Sequence, residues 1–313
     1  MASSLSSLFS PNSLPSFSGH ETFALRSNWL KKAYDLLQHT PDLFSREDAF
    51  VLLGVGKNMA QSIRFWGRVC GVFVRSETSN SYEATSLGHS LLGEKGWDQF
   101  LVTPASRWLL HWQIVSRPES AFTWFFTFNL LKGGEFTVPQ MASQIRSIAN
   151  DQGWRVPSDT TITRDIECML NCYCQPRSHQ NSLINEDLLL CPLTDLGLIQ
   201  SLPGQQTYRI VTGQQTDLPS ELVAFAILQM MHQTGRKTIS FSELAYGLRS
   251  PGRIFRLDED ALLSRLQELS QITNNQAYYS DQSGIRQVAW PNPDDSQLET
   301  LLNQAFTHEV RYV

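Results

Sequence analysis

Long apolar runs are missing from this 313-residue sequence. Nothing approaches the roughly 20 consecutive apolar residues of a membrane-spanning helix. The nearest stretches, WLLHWQIV and AFTWFFTFNLL, are divided by SRPES at 116–120 and are expected as core helices. No secretory leader is expected in MASSLSSLFSPNSLPS, which has neither a basic start nor a long apolar centre. These absences predict a cytoplasmic protein without membrane contact. Excess positive charge is also lacking. The net charge of −5 excludes a general nucleic-acid coat, so any such contact must be local. Five cysteines without an export signal argue against a disulfide framework.

Three of those cysteines lie in CMLNCYC (Cys168, Cys172, Cys174), with His179 and Cys191 downstream. One helical turn separates Cys168 from Cys172, which could bring two thiolates together. A second paired knuckle is missing, and Met169 and Leu170 read as an ordinary buried helix. Zinc is therefore not expected.

LLGVGKN, from Leu52, invites comparison with a phosphate-binding loop. Such a loop needs an early Gly and a hydroxyl after its Lys. Val51 and Asn58 occupy those positions here. A helix–turn–helix explains more. Gly54 sits where a helix ends in a left-handed residue. From Lys57 onward, Met59, Ile63, Trp66 and Cys70 form one helical stripe, while Lys57, Gln61, Arg64 and Arg68 form the opposite one. No acidic residue occurs from Lys57 to Ser76. Such a face offers Arg, Lys and Gln to a major groove; the alternative is a merely solvated charged face. VFVRSETSNSYEATS then reads as strand, polar tip and return strand, the order of a winged helix.

A second helix-turn-helix and a third, winged-helix-like unit are expected further along. TVPQMASQIRSIANDQG and SDTTITRDIECMLNCY form a second helix pair, followed by the loop QPRSHQNSLINED and short strands. SELVAFAILQMMHQTG, SFSELAYGL and DEDALLSRLQELSQI form a third helical group, closed by a hairpin in AYYSDQSGIRQVAW. Its Asp258–Asp260 run favours its own helix start but repels phosphates. The basic loop before it, with Arg249 and Arg253, could touch a nucleic-acid backbone. The expected fold is mainly α with short β wings (α+β), as tandem winged-helix or helix-turn-helix modules around an aromatic helical middle. The expected divisions are a disordered tail at 1–16, an N-terminal winged-helix module at 17–95, a helical middle domain at 96–215 and a winged-helix-like domain at 216–313.

GHETFALRSNWLKKAYD, LGVGKNMAQSIRFW, GWDQFLVTPASRWLLHWQIVS, GWRVPSDTTITRDIECML, CPLTDLGLI and SPGRIFRLDEDAL occur in this order. Together they resemble a bacterial family catalogued only as a domain of unknown function, whose members lie in DNA phosphorothioation and phage-defence gene clusters. The family includes the SspB-type DNA nickase. The resemblance implies a protein that recognises or nicks DNA so that sulfur can replace a phosphate oxygen. It also implies a cysteine desulfurase, an ATPase and a sulfur-transfer enzyme as companions. It supplies no catalytic residues.

Nicking needs an activated water and charge stabilisation at phosphate, usually through Mg²⁺ or Mn²⁺ held by carboxylates or His. The best candidates are His20 and Glu21, with Asp48 beside Glu47 brought near if the first helices pack together. His20 could equally bond a neighbouring carbonyl, and His111 is expected in the core. Three functions stay open: a metal-dependent nickase, a DNA-recognition subunit that cuts nothing, or a scaffold that binds proteins. No motif encodes a target sequence, a specific metal site or an oligomeric state.

Overall fold

The computed structural model describes residues 14–174, 191–204 and 206–309. Most of the predicted tail, and the loop predicted at QPRSHQNSLINED with His179, lie outside the described residues. The fold is α+β: among the described residues helices dominate, and three small antiparallel sheets punctuate them. The chain separates into two compact units. One takes Met1–Val102, Gln113–Thr127 and Leu131–Ile210; the other takes Thr103–Trp112, Phe128–Leu130 and Val211–Val313.

The first unit opens with α1 (Ser27–Leu37), which buries Trp29, Leu30, Ala33, Tyr34 and Leu37 at i, i+3/i+4 spacing. A 3₁₀ turn (Leu43–Ser45) and the single-turn α2 (Ala49–Leu52) follow. Gly54, at φ +60°, then redirects the chain, a conformation cheap only for Gly. Next come α3 (Lys57–Val69), β1 (Phe73–Arg75), β2 (Tyr82–Ala84) and α4 (Ser86–Leu92). Thr85 caps α4 by accepting from the Gly88 amide. β1 and β2 pair in register, Phe73 opposite Ala84. Tyr82 also donates its amide to Pro41 at 2.7 Å, so the chain before the 3₁₀ turn touches this hairpin where a third strand would run.

The aromatic middle is helical: α5 (Pro104–Val115), then α6 (Phe122–Phe125), which continues as a π-helical turn (Phe126–Leu130). Trp108, Phe122, Trp124, Phe125, Phe126 and Phe128 are all buried. The first unit resumes with β3 (Glu135–Thr137), α7 (Val138–Asp151), α8 (Asp159–Tyr173), β4 (Ile199–Ser201) and β5 (Thr207–Ile210). α7 opens with a reciprocal Thr137–Gln140 capping box, and Ser158 caps α8. The strand order is β3-β5-β4.

The second unit repeats that order. α9 (Ser220–Thr234) is apolar on nearly every side and correspondingly buried. Then come β6 (Thr238–Ser240), α10 (Phe241–Tyr246), α11 (Pro251–Ile254), α12 (Glu259–Ile272), β7 (Tyr278–Gln282), β8 (Ile285–Ala289) and α13 (Asp295–Glu309). The sheet runs β6-β8-β7. α9 packs against α12 and α13. His111 is buried within this unit and donates from Nε2 to the Ile254 carbonyl at 2.7 Å. Burial pushes its pKa down to about 4, so it is a neutral core histidine.

Candidate nucleic-acid interface

α3 is held on its apolar face. Ile63 and Trp66 are fully buried, and Trp66 Nε1 donates to the Phe23 carbonyl at 3.0 Å. Gly67 has no side chain because the Phe73 ring lies there: a Cβ would stand 2.0 Å from that ring. Phe73 also packs against Phe44 and edge-on to Tyr82, so hairpin and helix share one aromatic cluster. The far end is closed from a distance. Arg117 Nη1 donates to the carbonyls of Arg68 and Val69, each at 3.3 Å, and Nη2 donates to Gln113 Oε1 at 2.6 Å. Those carbonyls carry the negative end of the helix dipole, so a guanidinium suits them. Burial lowers the Arg117 pKa from its usual high value.

The opposite face carries the predicted stripe. Lys57 and Arg68 are exposed, and Gln61 and Arg64 are partly so. None of these four side chains has a hydrogen-bond or ion-pair partner among the described residues. Arg46, Arg146, Arg209 and Arg236, by contrast, each pair with a carboxylate. No side chain caps the start of α3 at Gly56, and its first turn holds no acid. The hairpin beyond it presents Arg75, which donates to Asn80 Oδ1 at 2.7 Å.

The helices that follow β3 and β6 differ in charge. α8 carries Asp159, Asp165 and Glu167 against Arg164; α12 carries Glu259, Asp260 and Glu268 against Arg265. Arg253 is half-buried and spends its guanidinium on the carbonyls of Tyr246 (2.6 Å) and Asn129. Burial lowers its pKa. Arg249 is partly exposed at φ +60° and fixes its backbone by donating to Asn129 Oδ1 at 2.8 Å. These two arginines brace a loop, whereas the α3 stripe stands free.

His20 is buried, and its partner is a carboxylate rather than a neighbouring carbonyl. Nδ1 accepts from the Thr22 amide at 3.0 Å, which leaves the ring proton on Nε2 for donation to Asp165 Oδ1 at 2.6 Å. Asp165 is 1% exposed, and Oδ1 also accepts from the Ser18 amide. Its other oxygen, Oδ2, has no hydrogen-bond partner among the described residues. The pair clasps the N-terminal segment to α8. Glu21 is part-exposed at φ +49°. Asp48 is exposed and forms a two-point pair with Arg46 at 2.9 and 3.1 Å, which holds its carboxyl below the usual range. The structure thus joins His20 to Asp165 and Asp48 to Arg46. Spacing gave no signal for Asp165 or Arg117, which lie far along the chain from the groups they serve.

Cys70, Cys168, Cys172 and Cys191 are buried, and Cys174 is partly so. Burial raises the pKa of each of the four buried thiols. Cys191 donates to the Cys172 carbonyl at 3.2 Å. Among the described residues no three His, Cys, Asp or Glu side chains are arranged to hold a metal ion.

Fold and face together define a class: an α+β protein in which strand, helices and hairpin recur in one order, with one helix presenting unpaired cations and an amide. Within that class the chain belongs to the family described as "Protein of unknown function (DUF4007)", which it matches over residues 17–306. No curated protein matches it. Two solved structures do. "SspB crystal structure" is 30% identical, with a TM-score of 0.84 over 93% of this chain and 88% of that one. "Magnesium ion-bound SspB crystal structure" is 28% identical, with a TM-score of 0.80 over 95% of this chain and 97% of that one.

Proposed function

We propose that this protein is the DNA-binding component of a DNA phosphorothioation system used in phage defence, and that it nicks one strand so that sulfur can enter. The similarity to SspB supports the phosphorothioation role. The observation that carries DNA binding is the free stripe of Lys57, Gln61, Arg64 and Arg68 on α3. Cations already paired inside a protein have little left for phosphate, and these are unpaired. In this reading each strand–helix–helix–hairpin unit is a winged helix. The orders β3-β5-β4 and β6-β8-β7 agree with that topology. The α3 module contacts DNA. The acidic α8 and α12 modules serve structure or bind the companion ATPase, sulfur-transfer enzyme and cysteine desulfurase. The setting is cytoplasmic, where genomic DNA lies.

Nicking carries a requirement for Mg²⁺ or Mn²⁺, and one similar structure is described as magnesium-bound. The described residues provide no ready set of three ligands. Magnesium needs fewer, since it commonly takes one or two carboxylates plus waters and phosphate oxygens. The same observation favours a second reading: a recognition subunit that recruits the sulfur-transfer enzymes and cuts nothing. Supercoiled plasmid with the purified chain in Mg²⁺, Mn²⁺ or EDTA separates the two. Metal-dependent conversion to open circles, sharply reduced in Glu21→Gln, supports nicking at the His20–Glu21 segment. Plasmid binding without cutting under any metal supports the recognition subunit.

A further inference from the structure

A helix that reads an intact major groove presents a convex ridge. Beside that ridge, here, is a concavity. A cleft of about 650 Å³ is lined by Phe44, Glu47, Phe50, Lys57, Gln61 and Arg64. Its two walls differ in the groups they leave free. The α3 wall offers a Lys, a Gln amide and an Arg. The wall ahead of α2 offers the free Glu47 carboxylate beside Arg46, whose guanidinium is already committed to Asp48, and the part-buried Phe44 and Phe50 add aromatic surface. Glu47 is exposed and pairs with no described residue, although Lys57 and Arg64 line the same cleft. The walls therefore stand beyond ion-pair reach of one another and leave room between them.

A free carboxylate on a phosphate-binding face weakens binding by repulsion. That loss is offset only if the ligand brings a donor to it. Among nucleobases, the exocyclic amino groups of cytosine, adenine and guanine do so, whereas thymine turns carbonyl oxygens to either side of its lone N–H. Aromatic side chains stack on any base. Cleft volumes of a few hundred Å³ suit small, mostly enclosed ligands.

From these features we infer that the cleft receives one unstacked nucleotide of bound DNA. An amino-bearing base lies against Glu47 and the phenylalanines, and its phosphate lies toward Lys57 and Arg64. The inference rests on the DNA-binding reading of α3 and adds the substrate feature that reading lacks.

Unpairing a base opposes this mode of binding, and a base already unpaired removes most of that opposition. The test measures binding of the full chain to three otherwise identical duplexes: fully paired, with one bulged cytosine, and with one bulged thymine. The cytosine bulge should bind about tenfold tighter than the paired duplex or better, and tighter than the thymine bulge. Phe50→Ala should bring paired and bulged duplexes to parity. Glu47→Gln, at an exposed position that should not disturb folding, should erase the difference between cytosine and thymine without weakening the paired duplex. Equal wild-type binding to all three duplexes overturns the inference but leaves DNA binding standing. A bulge preference that survives in both variants places the nucleotide elsewhere and also overturns it. Failure to bind any duplex sinks the DNA-binding reading, and this inference with it.

Discussion

Replacing Arg64 and Arg68 together by Ala gives the sharpest test of the interface. Neither side chain makes a hydrogen bond or ion pair within the described residues, so folding stability should change by less than about 0.5 kcal/mol. DNA binding should change much more. Each phosphate contact contributes about 0.9 to the slope of log K against log salt, so losing two lowers that slope by about 1.8. At about 0.1 M monovalent salt this corresponds to about 1.8 decades of affinity, roughly 60-fold or 2.4 kcal/mol. At about 0.3 M the difference should shrink to about ninefold. Arg209→Ala is the matched control, because its guanidinium is already committed to Glu135 at 2.7 Å. Fluorescence anisotropy with a labelled duplex over a salt series reads all of this. If the double variant stays folded and keeps the wild-type slope, the stripe is a solvated face and the reasoning fails.

Acid should act on His111. Its pKa of about 4 lies below the ordinary 6.5, so its contribution to stability is full above about pH 6.5 and is lost as pH falls toward 4. At about 1.4 kcal/mol per pH unit the loss approaches 3 kcal/mol, and chemical denaturation of His111→Gln should show a flatter pH dependence in that window. His20→Ala should destabilise the chain by about 3 kcal/mol or more, because Asp165 is left buried with one partner fewer; an unchanged melting curve would refute the clasp. Metal analysis of untagged protein should find well under one zinc per chain, and stoichiometric zinc surviving dialysis would overturn the reading of the cysteines as buried thiols.

Periodicity made α3 legible. Thirteen residues give enough turns for an apolar stripe and a polar stripe to separate, and Gly54 marks the turn before it. The paired helices α7 and α8 were equally readable from their caps and spacing. β3 and β6 were not, because three residues cannot display an alternation. α13 also went unread behind its polar start. The site was harder. Charge is visible in a sequence and burial is not, so Arg253 looked like a surface cation while the fold turns it to carbonyl oxygens. His20 was noticeable as a residue, but its partner lies 145 positions away, and only tertiary packing joins them.

The missing side chain at Gly67 has a consequence for genetics. Because Phe73 occupies the place of that Cβ, any larger residue at 67 must displace the Phe73 ring, and so disturb the packing of hairpin on helix. Loss-of-function screens should therefore recover Gly67 alongside Arg64 and Arg68, although Gly67 has nothing to offer a phosphate. A second-site change that shrinks Phe73 should suppress Gly67→Ala and leave Arg64→Ala unrescued. Suppression patterns of that kind sort the alleles that break the scaffold from those that break the contact.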